Sequence, residues 1–131
     1  MARARVVVIE DEIEVAATIL EQLTARDYEV RTATTAEEGL DVIEAFRPDV
    51  LLLDISLPGL SGPGLVKIFD RVYPRLPVIV LTGAVDPRVV AQIAGHHPFH
   101  LVHKPYDPDA LDRLVAAAAD ESRVRASRTV D

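Results

Sequence analysis

The sequence predicts an α/β fold, an open sheet of parallel strands in the order 2-1-3-4-5 with helices on both faces. Three observations predict it. Short β-branched or leucine-rich runs alternate with segments whose apolar residues recur at helical spacing, and this happens five times along the 131 residues. Such alternation implies parallel strands joined by right-handed crossovers. The central run, Val50 to Leu53, is apolar throughout and stops on Asp54, with Pro58, Gly59 and Gly62 just beyond. A continuous apolar run bounded by turn residues reads as a strand buried on both faces. The polar residues that close these runs fall at strand C-terminal ends, where open parallel sheets place their ligands.

The elements follow in order. Val6 to Ile9 is a β-branched first strand, stopped by Glu10-Asp11-Glu12. Ile13, Ala16, Ala17, Leu20 and Leu23 then mark an amphipathic helix from Glu12 to about Ala25. Tyr28 to Ala33 is a short second strand, and Thr35-Ala36-Glu37-Glu38 fits a capping box opening a helix through Leu40, Ile43 and Phe46. Pro48 ends that helix, and the third strand runs from Asp49 to Leu53. Leu65, Val66, Ile68, Phe69 and Val72 define a third helix that stops near Tyr73, because Pro74 disfavours a helical residue before it. Pro77 to Leu81 is the fourth strand, ending at Thr82-Gly83-Ala84. Asp86 and Pro87 open a fourth helix that Gly95 closes. Phe99 to His103 is the fifth strand, and Asp107-Pro108 starts a last helix carrying Leu111, Leu114, Val115 and Ala118. The folded domain is read as residues 1–119, and the polar stretch 120–131 as a flexible C-terminal tail whose arginines Arg123, Arg125 and Arg128 are solvated.

Composition narrows the function. A formal charge of −7 argues against direct nucleic-acid binding, and the absence of cysteine excludes disulfides and thiolate chemistry. No apolar run reaches membrane-spanning length, and the N-terminus lacks a signal-peptide core, so a cytoplasmic protein is expected.

Strand ends converge on one sheet edge. The first strand brings Glu10 and Asp11, the third Asp54, the fourth Thr82 and the fifth Lys104. Crowded carboxylates repel one another, and a hard divalent cation with oxygen preference, such as magnesium, relieves this. A carboxylate beside such an ion can act as a nucleophile toward phosphorus. A transferring phosphoryl group needs positive charge and donors on its equatorial oxygens, which Lys104 and Thr82 supply, with Gly83 leaving room for its approach.

These residues, in this order, resemble those of the response-regulator receiver domain of two-component signalling, over residues 5 to about 119. The resemblance implies a flavodoxin-like (βα)5 fold. It also implies magnesium held by Glu10, Asp11, Asp54 and the backbone carbonyl of Ser56, with Asp54 as the phospho-acceptor. Pro58 and Gly62 match the loop after the acceptor, Thr82 the switch hydroxyl, and Lys104-Pro105 the lysine followed by a cis-proline bond. The implied partners are a histidine kinase or histidine phosphotransfer protein, and a downstream protein target on the face of the fourth helix, fifth strand and fifth helix, with room for a homodimer. The implied chemistry is self-catalysed phosphotransfer and slow hydrolysis, a switch and not a turnover enzyme. The initiating methionine and short tail favour a stand-alone domain over the first piece of a longer regulator.

Two departures stand out. Leu101 occupies the position, three before the lysine, where receivers usually carry Tyr or Phe. The stretch from Gly95 to Lys104 is longer than the common pattern and contains Pro98. Two other function classes fit less well. An aspartyl-phosphate phosphohydrolase needs a second acid where Ser56 stands, and an interaction module without phosphorylation is opposed by the acidic pair, Thr82 and Lys104. His96, His97, His100 and His103 are dense enough to suggest a metal, but Pro98 breaks their helical geometry, so they read as surface or partner-contact residues.

Overall fold

The structure is a computed structural model that describes residues 3–55, 62–83, 87–96 and 98–128. Ten elements alternate: β1 (Arg5–Ile9), α1 (Ile13–Thr24), β2 (Glu29–Ala33), α2 (Ala36–Phe46), β3 (Val50–Asp54), α3 (Gly62–Val72), β4 (Val78–Thr82), α4 (Pro87–Ala94), β5 (His100–His103) and α5 (Pro108–Arg128). The strands form one parallel sheet in the order β2-β1-β3-β4-β5, as the sequence predicts.

The period of a strand explains how five short runs bury both faces. Val6 and Val8 of β1, Val50 and Leu52 of β3, and Ile79 and Leu81 of β4 join Ile19 and Leu23 of α1 and Leu111 and Val115 of α5 in one core layer. The intervening residues, Val7, Ile9, Leu51, Leu53 and Val80, join Ile43 of α2, Leu65 and Phe69 of α3 and Ile93 of α4 in the other. Every residue of β3 and of β4 is buried, so neither central strand can alternate apolar with polar.

Local chemistry sets the boundaries. The Thr35 hydroxyl accepts from the Glu38 N–H at 3.1 Å and caps α2. The other half of the expected capping box is replaced: the Glu38 carboxylate accepts from the Thr34 hydroxyl at 3.3 Å. At the far end of α2, Arg47 takes a left-handed conformation at φ 56° and gives its N–H to the Ile43 carbonyl at 2.8 Å. Pro87 and Pro108 stand first in α4 and α5, where a missing N–H costs nothing. The Asp107 carboxylate accepts from the Asp109 N–H at 3.3 Å to cap α5.

The C-terminal stretch differs from expectation. α5 continues through Arg128 as helix, where a flexible tail from residue 120 is expected from its polarity. Four consecutive alanines, Ala116 to Ala119, carry strong helix propensity into the polar stretch. Arg123 then reaches the Asp120 carboxylate at 3.8 Å and donates to the Arg3 carbonyl at 2.7 Å, tying the extended helix to the start of the sheet. Polarity there marks a solvated helix face.

One close packing contact lies next to the site's first acid. Gly39 of α2 is buried against Ile9, the residue before Glu10, and a Cβ at position 39 would overlap the Ile9 side chain. Alanine gains about 1 kcal/mol of helix propensity over glycine, whereas overpacking costs roughly 1–3 kcal/mol. Gly39→Ala is therefore expected to lower urea-unfolding stability by about 1 kcal/mol. Combined with Ile9→Val, which deletes the closest methyl but leaves a Cγ at 2.8 Å, the loss is expected to be smaller. Equal losses in both backgrounds would show that the contact does not exist.

Candidate functional site

The sheet order brings the ends of β1, β3, β4 and β5 to a common edge. Ile9 pairs with Leu53, so Glu10 and Asp54 leave adjacent strands at the same level. Thr82 pairs with His103, and the Lys104 N–H donates to the Thr82 carbonyl at 2.8 Å, which sets the lysine at the end of the sheet. The Lys104–Pro105 peptide bond is cis.

Glu10 and Asp54 are completely buried and Thr82 is 1% exposed, the three buried polar or charged residues among those described. Buried carboxylates are costly unless paired. Lys104 supplies the pairing: its ammonium lies 2.9 Å from Glu10 Oε2, 3.4 Å from Asp54 Oδ2 and 3.8 Å from Glu12 Oε1. One cation thus serves three carboxylates. The remaining imbalance shows in the protonation of Glu10, whose carboxyl is pushed up to about 7 by burial first, then by its hydrogen bond with Asp54, against the lowering influence of Lys104 and the Glu12 N–H. For Lys104, burial favours the neutral form, but the hydrogen bond to Glu10 and the charges of Asp54 and Glu10 outweigh it and hold the ammonium above its ordinary value.

The expected site residues separate into two groups. Glu10, Asp54, Thr82 and Lys104 come together at the sheet edge. Asp11 is exposed, and its carboxylate is not part of the acidic cluster found among the described residues. That cluster is Glu10, Glu12 and Asp54, with carboxylate oxygens within 4.8 Å of one another. Ser56, Pro58 and His97 lie outside the described residues, and Gly62 begins α3. A Cβ at Gly83 would meet nothing within 4 Å, so space is open beside Thr82. Leu101 packs half-buried against the layer of α3 and α4, while His100 and His103 are exposed.

Two residues near the site escaped the sequence reading. Glu12 reads there only as the start of a helix; its spacing of two from Glu10 was the available signal. Tyr106, directly after Lys104-Pro105, packs against the layer of α1 and α5, and burial followed by the Glu10 charge raises its phenol.

The donor set fits a hard divalent cation: oxygen ligands alone, two of them fully buried, and one ammonium to balance three acids. No helix among the described residues is long and apolar enough to cross a membrane.

The comparisons with known proteins agree with this geometry. The family model of the response regulator receiver domain matches residues 6–116. The DNA-binding transcriptional regulator NtrC of Escherichia coli K12 is 39% identical over 90 residues, covering 66% of this chain and 19% of NtrC. The nitrogen assimilation regulatory protein NtrX of Azorhizobium caulinodans is 31% identical over 124 residues, 92% of this chain and 27% of NtrX. The chain thus spans about a fifth to a quarter of the length of these curated relatives. The crystal structure of a CheY-like receiver domain protein from Methanospirillum hungatei superposes with a TM-score of 0.86 at 26% identity, over 92% of this chain and 97% of that one. With its matching sheet order and converging polar edge, the chain belongs to the response regulator receiver domain family, the phosphorylation-dependent regulatory modules of two-component signalling.

Proposed function

We propose that Asp54 is the residue that takes the phosphoryl group, from a phosphohistidine on a histidine kinase or histidine phosphotransfer protein. The observation that carries this is the Lys104 ammonium held 3.4 Å from a completely buried Asp54 carboxylate. An Asp54 oxygen attacks phosphorus, the P–N bond to the imidazole breaks with its electron pair moving to the ring nitrogen, and an acyl phosphate forms. Lys104 moves its ammonium from carboxylate to phosphoryl oxygen, and the Thr82 hydroxyl donates to a second oxygen. Attack of water on the same phosphorus later breaks the P–O bond to Asp54, releases inorganic phosphate and restores the carboxylate, so the domain resets itself slowly and is not a turnover enzyme.

Magnesium is the cofactor this reading needs; when bound, it neutralises the acids and draws charge from the phosphoryl oxygens. Glu10 and Asp54 would hold it from their buried positions, with Asp11 and the Ser56 carbonyl as the further ligands the family pattern assigns. The acyl phosphate adds a charge of roughly −1.5 to −2 at neutral pH, drawing in Thr82 and Lys104 and biasing the face of α4, β5 and α5 toward another arrangement for a protein target. Leu101 removes the aromatic that usually turns inward on that face. A kinase partner of this kind places the domain in the cytoplasm.

Magnesium dependence tests the reading. Incubation with a small phosphodonor is expected to add one phosphoryl group by intact mass in magnesium and none in excess EDTA. Equal phosphorylation in EDTA would contradict the site assignment.

A further inference from the structure

The acidic cluster is asymmetric. Glu10 and Asp54 are fully buried, whereas the Glu12 side chain is 61% exposed. Glu12 therefore forms the solvent-facing corner of the cluster, its carboxylate within 4.8 Å of the other two. Its backbone N–H donates to Glu10 Oε1 at 3.2 Å, and its carboxylate lies 3.8 Å from the Lys104 ammonium. A phosphoryl donor at Asp54 therefore lies within range of the charge on this carboxylate.

We infer that Glu12 makes the site select its donor by charge. It disfavours acyl phosphates, which arrive as dianions, relative to N-phosphorylated donors, whose leaving nitrogen carries a positive charge. The inference rests on Asp54 being the acceptor, and it assigns the substrate class of that site. The two chemistries balance differently. With acetyl phosphate, the P–O bond to the acyl group breaks and acetate leaves as an anion past Glu12. With phosphoramidate, the P–N bond breaks and neutral ammonia leaves, so no anion must exit. Glu12 repels the first donor by one more unit of charge than the second, on entry and again on departure. One unit of charge at this range, in surroundings between protein surface and water, changes a rate by roughly three- to tenfold. Glu12 is exposed, so salt screens the effect. A phosphohistidine, with its protonated ring, belongs to the favoured class.

The test compares wild type with Glu12→Gln, using acetyl phosphate and phosphoramidate at saturating magnesium, each at low and high ionic strength, with phosphoryl incorporation read by intact mass. Glu12→Gln is expected to raise the acetyl phosphate rate roughly three- to tenfold and the phosphoramidate rate less than about twofold, with the difference shrinking at high salt. Equal changes with both donors would overturn the inference, because Glu12 would then act through the metal or Lys104 alone. So would a ratio that ignores ionic strength. Failure of both donors to modify wild type would instead overturn Asp54 as the acceptor. Circular dichroism of Glu12→Gln, expected to match wild type, shows that the comparison is made on folded protein.

Discussion

Replacing Lys104 by alanine is expected to destabilise the magnesium-free domain by roughly 3 kcal/mol at pH 7.5, because removing one partner strands the buried charges of the other. Lys104 is 16% exposed and faces two carboxylates that are fully buried, so solvent screens little of the loss. Two features limit the cost. Glu10 already holds its proton up to about 7, and in the variant it would hold it more tightly. Saturating magnesium would neutralise the same acids, so the difference between variant and wild type should shrink when the ion is added. Urea unfolding of both proteins, in EDTA and in magnesium, measures the two differences. The variant is also expected to accept phosphate up to roughly 100-fold more slowly, since a preorganised donor to the developing charge is lost. A Lys104→Ala protein as stable as wild type in EDTA would mean that the ammonium does not sit between Glu10 and Asp54.

The second large effect is a pH dependence with an unusual direction for a carboxylate. Most carboxyls that gain partners in a folded protein titrate lower there, and their stabilisation is lost in acid. Glu10 titrates higher, through burial first and its hydrogen bond with Asp54 second. A group that binds its proton more tightly folded than unfolded stabilises the fold while it is protonated. Its contribution is complete below its ordinary value of 4.5 and disappears as pH rises through about 7. The metal-free domain should therefore lose stability from this group across that interval, by up to about 3 kcal/mol. Lys104, held above an ordinary value of 10.5, does not titrate in this window. Magnesium requires the ionised form and should reverse the slope, stabilising little at pH 5 and strongly at pH 8. Urea midpoints at pH 5, 6, 7 and 8, in EDTA and in magnesium, read both slopes. In Glu10→Gln, the EDTA slope should flatten. Parallel curves with and without magnesium would rule out a cation at this cluster.

Legibility in the sequence followed burial. Asp54, Thr82 and Glu10 could be found because each closes a run of apolar residues, and a polar group there has no reason to exist except the edge it faces. Lys104 was legible from its place after the fifth strand, although its three-way contact with Glu10, Asp54 and Glu12 depends on the β4–β5 register. Alternation implied parallel strands, and the order β2-β1-β3-β4-β5 is the common arrangement for five of them. Glu12 was hidden because it belongs to no apolar run: an exposed acid at a helix start has an ordinary explanation, and only distances reveal its tie to Lys104. Asp11 was read with Glu10 as one acidic pair at the end of the first strand, and its exposure could not be read from neighbours in sequence. The helical course of α5 beyond residue 120 was not legible, because Arg123 supplies both an ion pair to Asp120 and a bond to the Arg3 carbonyl 120 residues away. Long-range contacts of that kind leave no local signature.

Asp54, at the end of β3, is proposed to receive the phosphoryl group. Intact mass of wild type and Asp54→Asn after the same exposure to phosphoramidate and magnesium tests it most directly. Wild type is expected to gain a single phosphoryl group and Asp54→Asn none, with both proteins folded. Equal incorporation in Asp54→Asn would contradict the account, placing the acceptor on another residue of the chain.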